Sequence, residues 1–151
     1  MQPDARGLHA LTKPSVAWLT QLVNQLHPEL CAGQCAACTS LVRRYRPGER
    51  RGHHEHIDGH AAVTVVVGLS TAGVDFDGGF FVSDLRARRF IALQRGEAVM
   101  HTSDLFHGVA VCRGSRWSWV LWFRDGVDCS GLSRAPSWYR ARAEAGDPLA
   151  Q

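Results

Sequence analysis

The sequence predicts a mainly β fold with flanking helices, built as a two-sheet sandwich or jelly roll. Three observations support this fold class. After Ser40 the apolar residues leave helical spacing and fall into short runs rich in β-branched and aromatic side chains. Gly, Pro, Asp and Ser separate these runs, as turn residues do. Seven runs within about eighty-five residues suit two facing sheets that enclose a ligand pocket.

The predicted elements run in the order helix, strands, helix. Residues 14–30 carry apolar side chains at helical spacing after Pro14 and Ser15, which are common at helix starts. A second helix is predicted over residues 136–146. The predicted strands cover residues 41–45, 62–70, 78–84, 88–94, 97–102, 107–112 and 116–123.

Length and composition fit one globular domain. The chain has 151 residues, of which 45% are hydrophobic and 21% charged, so it can bury a core of its own. We expect a single domain over residues 1–151, with a helical part over about 1–38, a jelly-roll core over about 39–125 and a C-terminal helix over about 136–146.

Charge and the chain start exclude several classes of protein. The net charge is +3, but basic residues are dispersed among acidic ones, so we expect no nucleic-acid binding. No apolar run approaches the roughly 20 residues that span a bilayer, so we expect no membrane insertion. The start lacks the basic and apolar regions of a signal peptide, which favours a cytoplasmic, reducing location without establishing it.

Five cysteines leave two interpretations open. Cys31, Cys35 and Cys38 have a spacing that iron–sulfur clusters use, and His27 upstream would complete a zinc site. Alternatively, free cysteines pack as small residues at the end of the first helix, and we favour this interpretation. Two further cysteines, Cys112 and Cys129, are expected to be buried or half-buried thiols.

The segment His56-Ile57-Asp58, with His107 further along, has the side chains of an iron site. Side chains two apart on a strand point to the same face, so His56 and Asp58 can converge on one ion while Ile57 turns away. Two imidazoles and one carboxylate leave adjacent coordination positions open for a cosubstrate and O2, as in non-heme Fe(II) oxygenases. His107 must come from a strand that the fold brings alongside.

The last predicted strand has two different faces. Arg116, Ser118, Val120 and Trp122 share one face, opposite Trp117, Trp119, Leu121 and Phe123. A guanidinium is costly to bury unless it meets an anion, and its planar fork suits a carboxylate. With His107 on a neighbouring strand, Arg116 is predicted to bind a cosubstrate carboxylate, and Ser118 to add a hydrogen bond. The alternative is that Arg116 is exposed or pairs with a surface acid.

Six segments carry a family resemblance in the family's order. Together they resemble the catalytic core of the 2-oxoglutarate and Fe(II)-dependent prolyl and lysyl hydroxylases. The RYRPG start is shared with prolyl hydroxylases, and VDFDGG particularly resembles lysyl hydroxylases. The segments are Arg44–Gly48, His56–Asp58, Val74–Gly79, Gly96–His101, His107–Val109 and Gly114–Trp117.

The resemblance implies a double-stranded β-helix (jelly roll, cupin-like) and a set of residue roles. His56, Asp58 and His107 would bind Fe(2+), and Arg116 the distal carboxylate of 2-oxoglutarate. These four are the expected catalytic residues. Tyr45 matches a tyrosine that lines the cosubstrate pocket. O2 is implied as the second cosubstrate, and ascorbate as an activator.

Three glycines are informative in the comparison with this family: one differs from the family pattern and two match its turn glycines. Gly68 stands where some prolyl hydroxylases have a second tyrosine, so the cosubstrate pocket is either roomier or filled from elsewhere. Gly78 and Gly79 match turn glycines, where the chain bends tightly or passes close to a ligand.

The histidine-rich run 52–60 leaves a second ligand register open, in which His53 and Glu55 would bind the metal. We favour His56 and Asp58 because Asp58 precedes the next apolar strand by the family's short distance, and because aspartate is the family's usual carboxylate. The remaining histidines would then support the site or be solvated, and His101 would lie in the core or at the pocket edge.

The predicted activity is hydroxylation of an unactivated C–H bond with release of succinate and CO2. Prolyl hydroxylation of a peptide or protein is the first expectation, and hydroxylation of lysine, a free amino acid or another small molecule is the alternative. A different class, a non-catalytic jelly roll that binds metal and 2-oxoglutarate, is also open. Residues 143–151 resemble the opening of a Sel1-type repeat, which would continue beyond Gln151 and bind a protein partner. The oligomeric state is open.

Overall fold

The computed structural model describes residues 5–84, 87–126 and 129, in which one long helix is followed by eight strands. The predicted helix over 136–146 and the Sel1-like segment lie outside the described residues. A short 3₁₀ helix joins α1 to β1. The elements are α1 (Ala5–Leu26), the 3₁₀ helix (Leu30–Gly33), β1 (Cys35–Tyr45), β2 (Gly52–His56), β3 (Val63–Gly68), β4 (Phe76–Ser83), β5 (Arg88–Ile91), β6 (Ala98–Thr102), β7 (His107–Gly114) and β8 (Arg116–Asp125).

The strands form two four-stranded antiparallel sheets. One sheet has the order β1-β8-β3-β6 and the other β2-β7-β4-β5. Apart from the β4–β5 hairpin, each strand lies in the opposite sheet from the strand before it. This alternation winds the chain into a double-stranded β-helix, so the predicted jelly-roll class is confirmed.

Strand β3 is covered on both faces, which explains its nearly continuous apolar run. Val63 and Val65 pack toward α1, where Leu19 and Val23 close a fully buried cluster. Thr64 and Val66 point the other way, into the space between the sheets. The helix thus seals one side of this sheet and leaves the other side free to line a cavity.

The first helix begins at Ala5, well before the predicted start at residue 14, and contains Pro14. Its surface around Pro14 is mostly exposed, so water can satisfy the carbonyl that loses its amide partner there. The helix ends at Leu26 instead of residue 30. Pro28 accounts for this, because a proline disfavours the helical conformation of the residue before it.

The cysteine predictions were wrong. Cys35 and Cys38 lie in β1, not at a helix end, and the structure contains the disulfides Cys31–Cys35 and Cys38–Cys129. These bonds exclude a thiolate metal cluster as well as free packed thiols. Cys112 is free but exposed. β1 lies antiparallel to β8, and Cys38 lies at a register shift in this pairing, with its Sγ 4.0 Å from the carbonyl oxygen of Asp125 at the end of β8.

Two disulfides also bear on the expected cellular location. Disulfides persist mainly in oxidising compartments, whereas the chain start favoured a reducing one, so these two features point in opposite directions and the location stays a prediction. Within the described part of the chain, no helix is both long and apolar enough to cross a membrane.

Replacing both Cys38 and Cys129 by serine should lower the free energy of unfolding by about 4–5 kcal/mol, because the bond closes a loop with a sequence separation of 91. Serine at both Cys31 and Cys35 should cost only about 2 kcal/mol, since that separation is 4. Urea unfolding of both double variants, each with Cys112→Ser to prevent exchange, measures the difference. Equal losses would contradict the loop-length argument.

Candidate metal centre and cosubstrate pocket

The pairing of β2 with β7 places His56 directly opposite His107. Asp58 lies two residues beyond the end of β2, so the metal motif straddles the strand end instead of lying within the strand. The Nε2 atom of His56 is 3.4 Å from Asp58 Oδ1, and that of His107 is 3.8 Å from Asp58 Oδ2. The three potential ligand atoms lie within 4.8 Å of one another. Sequence reasoning therefore identified three side chains that do converge.

Both histidines are oriented by backbone carbonyls. His56 Nδ1 is 2.7 Å from the His54 carbonyl oxygen, and His107 Nδ1 is 3.0 Å from that of Leu105. A carbonyl only accepts, so each Nδ1 carries the proton and donates. Both Nε2 atoms are directed at the centre, and in the neutral imidazoles each would offer its lone pair to a metal, as second-sphere hydrogen bonds arrange for metal-binding imidazoles.

The carboxylate of Asp58 is held by two donors from the facing sheet. Its Oδ2 accepts hydrogen bonds from Thr64 Oγ1 at 2.6 Å and from Trp122 Nε1 at 3.1 Å. Burial raises the pKa of Asp58, but hydrogen bonds from His56, Thr64 and Trp122 and the nearby His107 outweigh it and hold the pKa well below its usual range. The side chain is therefore ionised and held in a fixed orientation.

Sequence reasoning missed both of these donors. Thr64 was the one polar residue in an apolar strand, and a buried hydroxyl needs a partner, so it could have been suspected. Trp122 was placed on the correct face, but nothing in the sequence identified its partner.

The two ligand histidines differ in protonation. Burial, with the charge of His101, lowers the pKa of His107 to about 4. The hydrogen bond with Asp58 raises the pKa of His56, against the effect of burial. His107 is therefore neutral at pH 7. The pKa of His56 lies above its usual value, so His56 changes from the charged to the neutral form at a higher pH than an ordinary histidine. Two imidazoles and one carboxylate suit Fe(II), Mn(II) or similar ions.

The low pKa of His107 predicts an acid-sensitive fold once metal is removed. In the unfolded chain this imidazole takes up a proton near pH 6.5, but the folded state keeps it neutral down to about pH 4. The unfolded state then binds more protons, so stability should fall as pH drops through this window, by at most about 1.4 kcal/mol per pH unit. Burial shifts the pKa of His53, His60 and His101 the same way, whereas His56 opposes the trend.

Urea unfolding with a chelator at pH 4.5, 5.5 and 6.5 measures this dependence in the wild type, in His107→Gln and in the control His9→Gln, which changes an exposed histidine. The slope should become smaller in His107→Gln alone. A slope that stays unchanged in that variant would contradict the assignment.

A cavity of about 280 Å³ separates the two sheets at the metal triad. Arg116, Ser118, Val120 and Trp122 all line it, so the predicted inward face of the last strand is confirmed. On the other face, Leu121 and Phe123 enter the core, and Trp119 packs against it. Strand alternation alone therefore assigned this wall of the cavity.

Arg116 is buried, with 2% of its surface exposed, so the surface alternative was wrong. Its Nη1 donates to Ser118 Oγ at 3.0 Å, while Nη2 has no hydrogen-bond partner and no acid pairs with it within the described ranges. Burial lowers its pKa to about 10, against the effect of Tyr45. The guanidinium lies near the Tyr45 ring, 5.8 Å from its centroid. A buried cation with a free hydrogen-bond donor is unfavourable on its own and favours binding of an anion.

Arg116 and His107 lie in different sheets, although the sequence suggested neighbouring strands. β7 belongs to the sheet of β2 and β4, whereas β8 lies in the facing sheet. Arg116 therefore points into the cavity from the wall opposite the histidines. A ligand in the cavity can therefore contact His107 at one end and Arg116 at the other. On neighbouring strands of one sheet, both side chains would lie on the same wall.

The surroundings of Gly68, Gly78 and Gly79 show why each of these positions has a glycine. A side chain at Gly68 would collide with the carbonyl of Gln94, so the place of the second tyrosine is filled from another loop. Gly78 and Gly79 lie at a bulge inside β4, not in a turn between strands. A Cβ at Gly79 would lie 2.8 Å from the Phe76 ring and 3.8 Å from Arg116 Nε. This glycine thus makes room for the aromatic wall around the guanidinium.

The alternative ligand pair does not converge. Glu55 forms an ion pair with Arg88, at 3.4 Å, away from the triad. His53 stacks on His56, with ring centroids 4.1 Å apart, and lines the cavity. Across the described residues, the three-residue group of possible metal ligands contains neither of them. His101 is buried beside His107, with ring centroids 4.3 Å apart, consistent with a core or pocket-edge position.

The fold is a jelly roll similar to that of 2-oxoglutarate and iron-dependent oxygenases. No family model matches the sequence. A curated relative from Mus musculus, 2-oxoglutarate and iron-dependent oxygenase domain-containing protein 2, is 26% identical over 113 residues. The match covers 71% of this chain and 32% of the relative, so the chain spans about a third of that protein's length.

Solved structures show the same fold. A prolyl hydroxylase from Trichoplax adhaerens, in complex with a hypoxia inducible factor oxygen degradation domain peptide fragment, aligns with a TM-score of 0.51 and 20% identity, over 64% of this chain and 47% of that one. The non-heme alpha ketoglutarate dependent epimerase SnoN, from nogalamycin biosynthesis, aligns with a TM-score of 0.56 and 14% identity, over 78% and 60%. Both structures are less than 25% identical to this chain, so these likenesses show a shared fold. Together with the curated relative, they agree with the family resemblance found in the sequence.

Proposed function

We propose that this chain is an Fe(II)- and 2-oxoglutarate-dependent dioxygenase that hydroxylates an unactivated C–H bond and releases succinate and CO2. One observation carries the proposal: the converging His56, Asp58 and His107 face a buried, unpaired Arg116 across a single cavity. A metal site alone would not require the arginine, and the arginine alone would be unfavourable. Together they match the two ends of a keto acid.

The residues present fit both groups. The Nε2 atoms of His56 and His107 would hold the metal together with Oδ1 of Asp58, which faces His56 Nε2 at 3.4 Å. Oδ2 of Asp58 already accepts hydrogen bonds from Thr64 and Trp122. The free Nη2 of Arg116 and the hydroxyl of Ser118 would bind the distal carboxylate. When bound, iron and 2-oxoglutarate supply the activation of O2 that this chemistry requires.

The protein's own contribution is to orient, to exclude water and to balance charge. Val66, Phe80, Val109 and Val120 give the cavity apolar walls between its two polar ends. Thr64 and Trp122 fix the carboxylate before any ligand arrives, so that binding costs little reorganisation. The surrounding rings of Tyr45 and Phe76 hold the guanidinium of Arg116 in place.

Proline in a peptide or protein is the first substrate to test, because residues 44–48 resemble prolyl hydroxylases. Lysine follows, because residues 74–79 resemble lysyl hydroxylases, and then free amino acids. Incubation of the chain with Fe(II), 2-oxoglutarate, ascorbate and such candidates should yield succinate and a product heavier by one oxygen atom in mass spectrometry. The same reaction with chelator is the control. The proposal would be refuted if no reaction formed more succinate than the chelator control and the chain bound no metal. A reaction without ascorbate tests whether ascorbate is needed.

A further inference from the structure

A second arginine lines the cavity, and the proposed cosubstrate site does not use it. Arg43 lies on β1, two residues before Tyr45, so both side chains share a face. It is opposite Ser118 in the pairing of β1 with β8, and therefore diagonal to Arg116. Arg43 is half-buried, and no acid pairs with it among the residues that the structure describes. Its neighbour Arg44, by contrast, donates two hydrogen bonds to Glu49.

Arg43 lies at the edge of the sandwich. β1 is an edge strand of one sheet and β2 is an edge strand of the other. Arg43 and His53 line the cavity from these two edges. Arg43 and His53 therefore line the cavity at the side where both sheets have an edge strand.

When iron and 2-oxoglutarate are bound as proposed, the positive charge of Arg43 has no negative charge in the cavity to offset it. The two charges of a ferrous ion, the carboxylate of Asp58, the two carboxylates of 2-oxoglutarate and the guanidinium of Arg116 together come to zero. Asp58 is the one acid among the described residues that line the cavity. A half-buried guanidinium next to a neutral complex still favours an anion, because low-dielectric walls strengthen its field.

We propose that Arg43 binds a carboxylate of the substrate and so selects substrates with a carboxylate close to the carbon that is hydroxylated. The inference rests on the proposed function and narrows its substrate class. A cavity of about 280 Å³ is at the small end for ligand pockets and must also hold 2-oxoglutarate, so the part of the substrate that enters is the size of an amino acid. A free amino acid and the C-terminal carboxylate of a peptide share this chemistry.

The test uses the chain loaded with Mn(II) and saturated with 2-oxoglutarate, because Mn(II) broadens the proton resonances of ligands bound nearby. The probes are N-acetyl-proline and Nα-acetyl-lysine, each compared with its primary amide, which has the same side chain but lacks the carboxylate. The acids should be broadened more than the amides in the wild type and in the control Arg44→Gln. Arg43→Gln should weaken binding of the acids by about tenfold or more and remove this difference. Prolyl peptides with free or amidated C-termini distinguish the two carboxylate sources.

The affinity for 2-oxoglutarate, measured calorimetrically in the same samples, separates the possible failures. Arg43→Gln should leave it nearly unchanged. If that variant instead loses 2-oxoglutarate as Arg116 variants do, Arg43 belongs to the cosubstrate site and the inference is overturned. Equal broadening of acids and amides in the wild type overturns it as well, with the proposed function intact. Failure to bind Mn(II) or 2-oxoglutarate overturns the proposed function first, and this inference with it.

Discussion

Replacing Asp58 by asparagine is expected to abolish succinate formation and metal binding while the fold is retained. Asp58 would supply the anionic ligand of the centre, and its buried carboxylate also accepts hydrogen bonds from Thr64 and Trp122. Asparagine keeps an oxygen for these two donors and removes the charge that offsets a divalent cation. Alanine would leave both donors unsatisfied and cost about 1–3 kcal/mol per buried group. Asp58→Asn is therefore the cleaner test.

The measurement is a Mn(II) titration followed by electron paramagnetic resonance, with succinate assayed in parallel. Asp77→Asn is a matched control, because Asp77 is an exposed aspartate of β4 that pairs with Arg113. The control should bind Mn(II) and turn over like the wild type. Wild-type metal affinity in Asp58→Asn would remove Asp58 from the ligand set.

The parts of this site that follow from the sequence are those fixed by local backbone geometry. The period of two along a strand put Arg116 and Ser118 on one face, and the structure has both facing the cavity. The triad was recognised because its residue types are unusual together and because a family uses them in that order. Neither argument required knowledge of which strands pair.

What could not be predicted depends on contacts between residues distant in sequence. The metal motif was placed on a strand, but β2 was absent from the seven predicted strands, because GHHEH lacks the β-branched and apolar residues that identify one. Its pairing with β7 holds it in place. The position of Arg116 in the facing sheet follows from the alternation of strands between sheets, which periodicity does not encode. The pairing of Cys38 with Cys129 is likewise set by the register of β1 on β8.

Replacing Arg116 by methionine is expected to lower the affinity for 2-oxoglutarate by about a hundredfold or more, without destabilising the ligand-free protein. The affinity falls because a ligand carboxylate would lose its buried, charge-assisted donors. Stability should hold or rise, because the substitution removes a desolvated cation whose Nη2 lacks a partner among the described residues. Methionine retains much of the length of the side chain between Tyr45 and Phe76.

Two readouts on one sample make this prediction specific. Calorimetry on the Mn(II)-loaded chain gives the 2-oxoglutarate affinity, and thermal unfolding with and without 2-oxoglutarate gives the stabilisation that binding confers. Arg113→Met is the control, because Arg113 is an exposed arginine of β7 paired with Asp77. Ligand-induced stabilisation should disappear only in Arg116→Met. If Arg116→Met is strongly destabilised yet binds 2-oxoglutarate normally, Arg116 stabilises the fold and does not bind the cosubstrate.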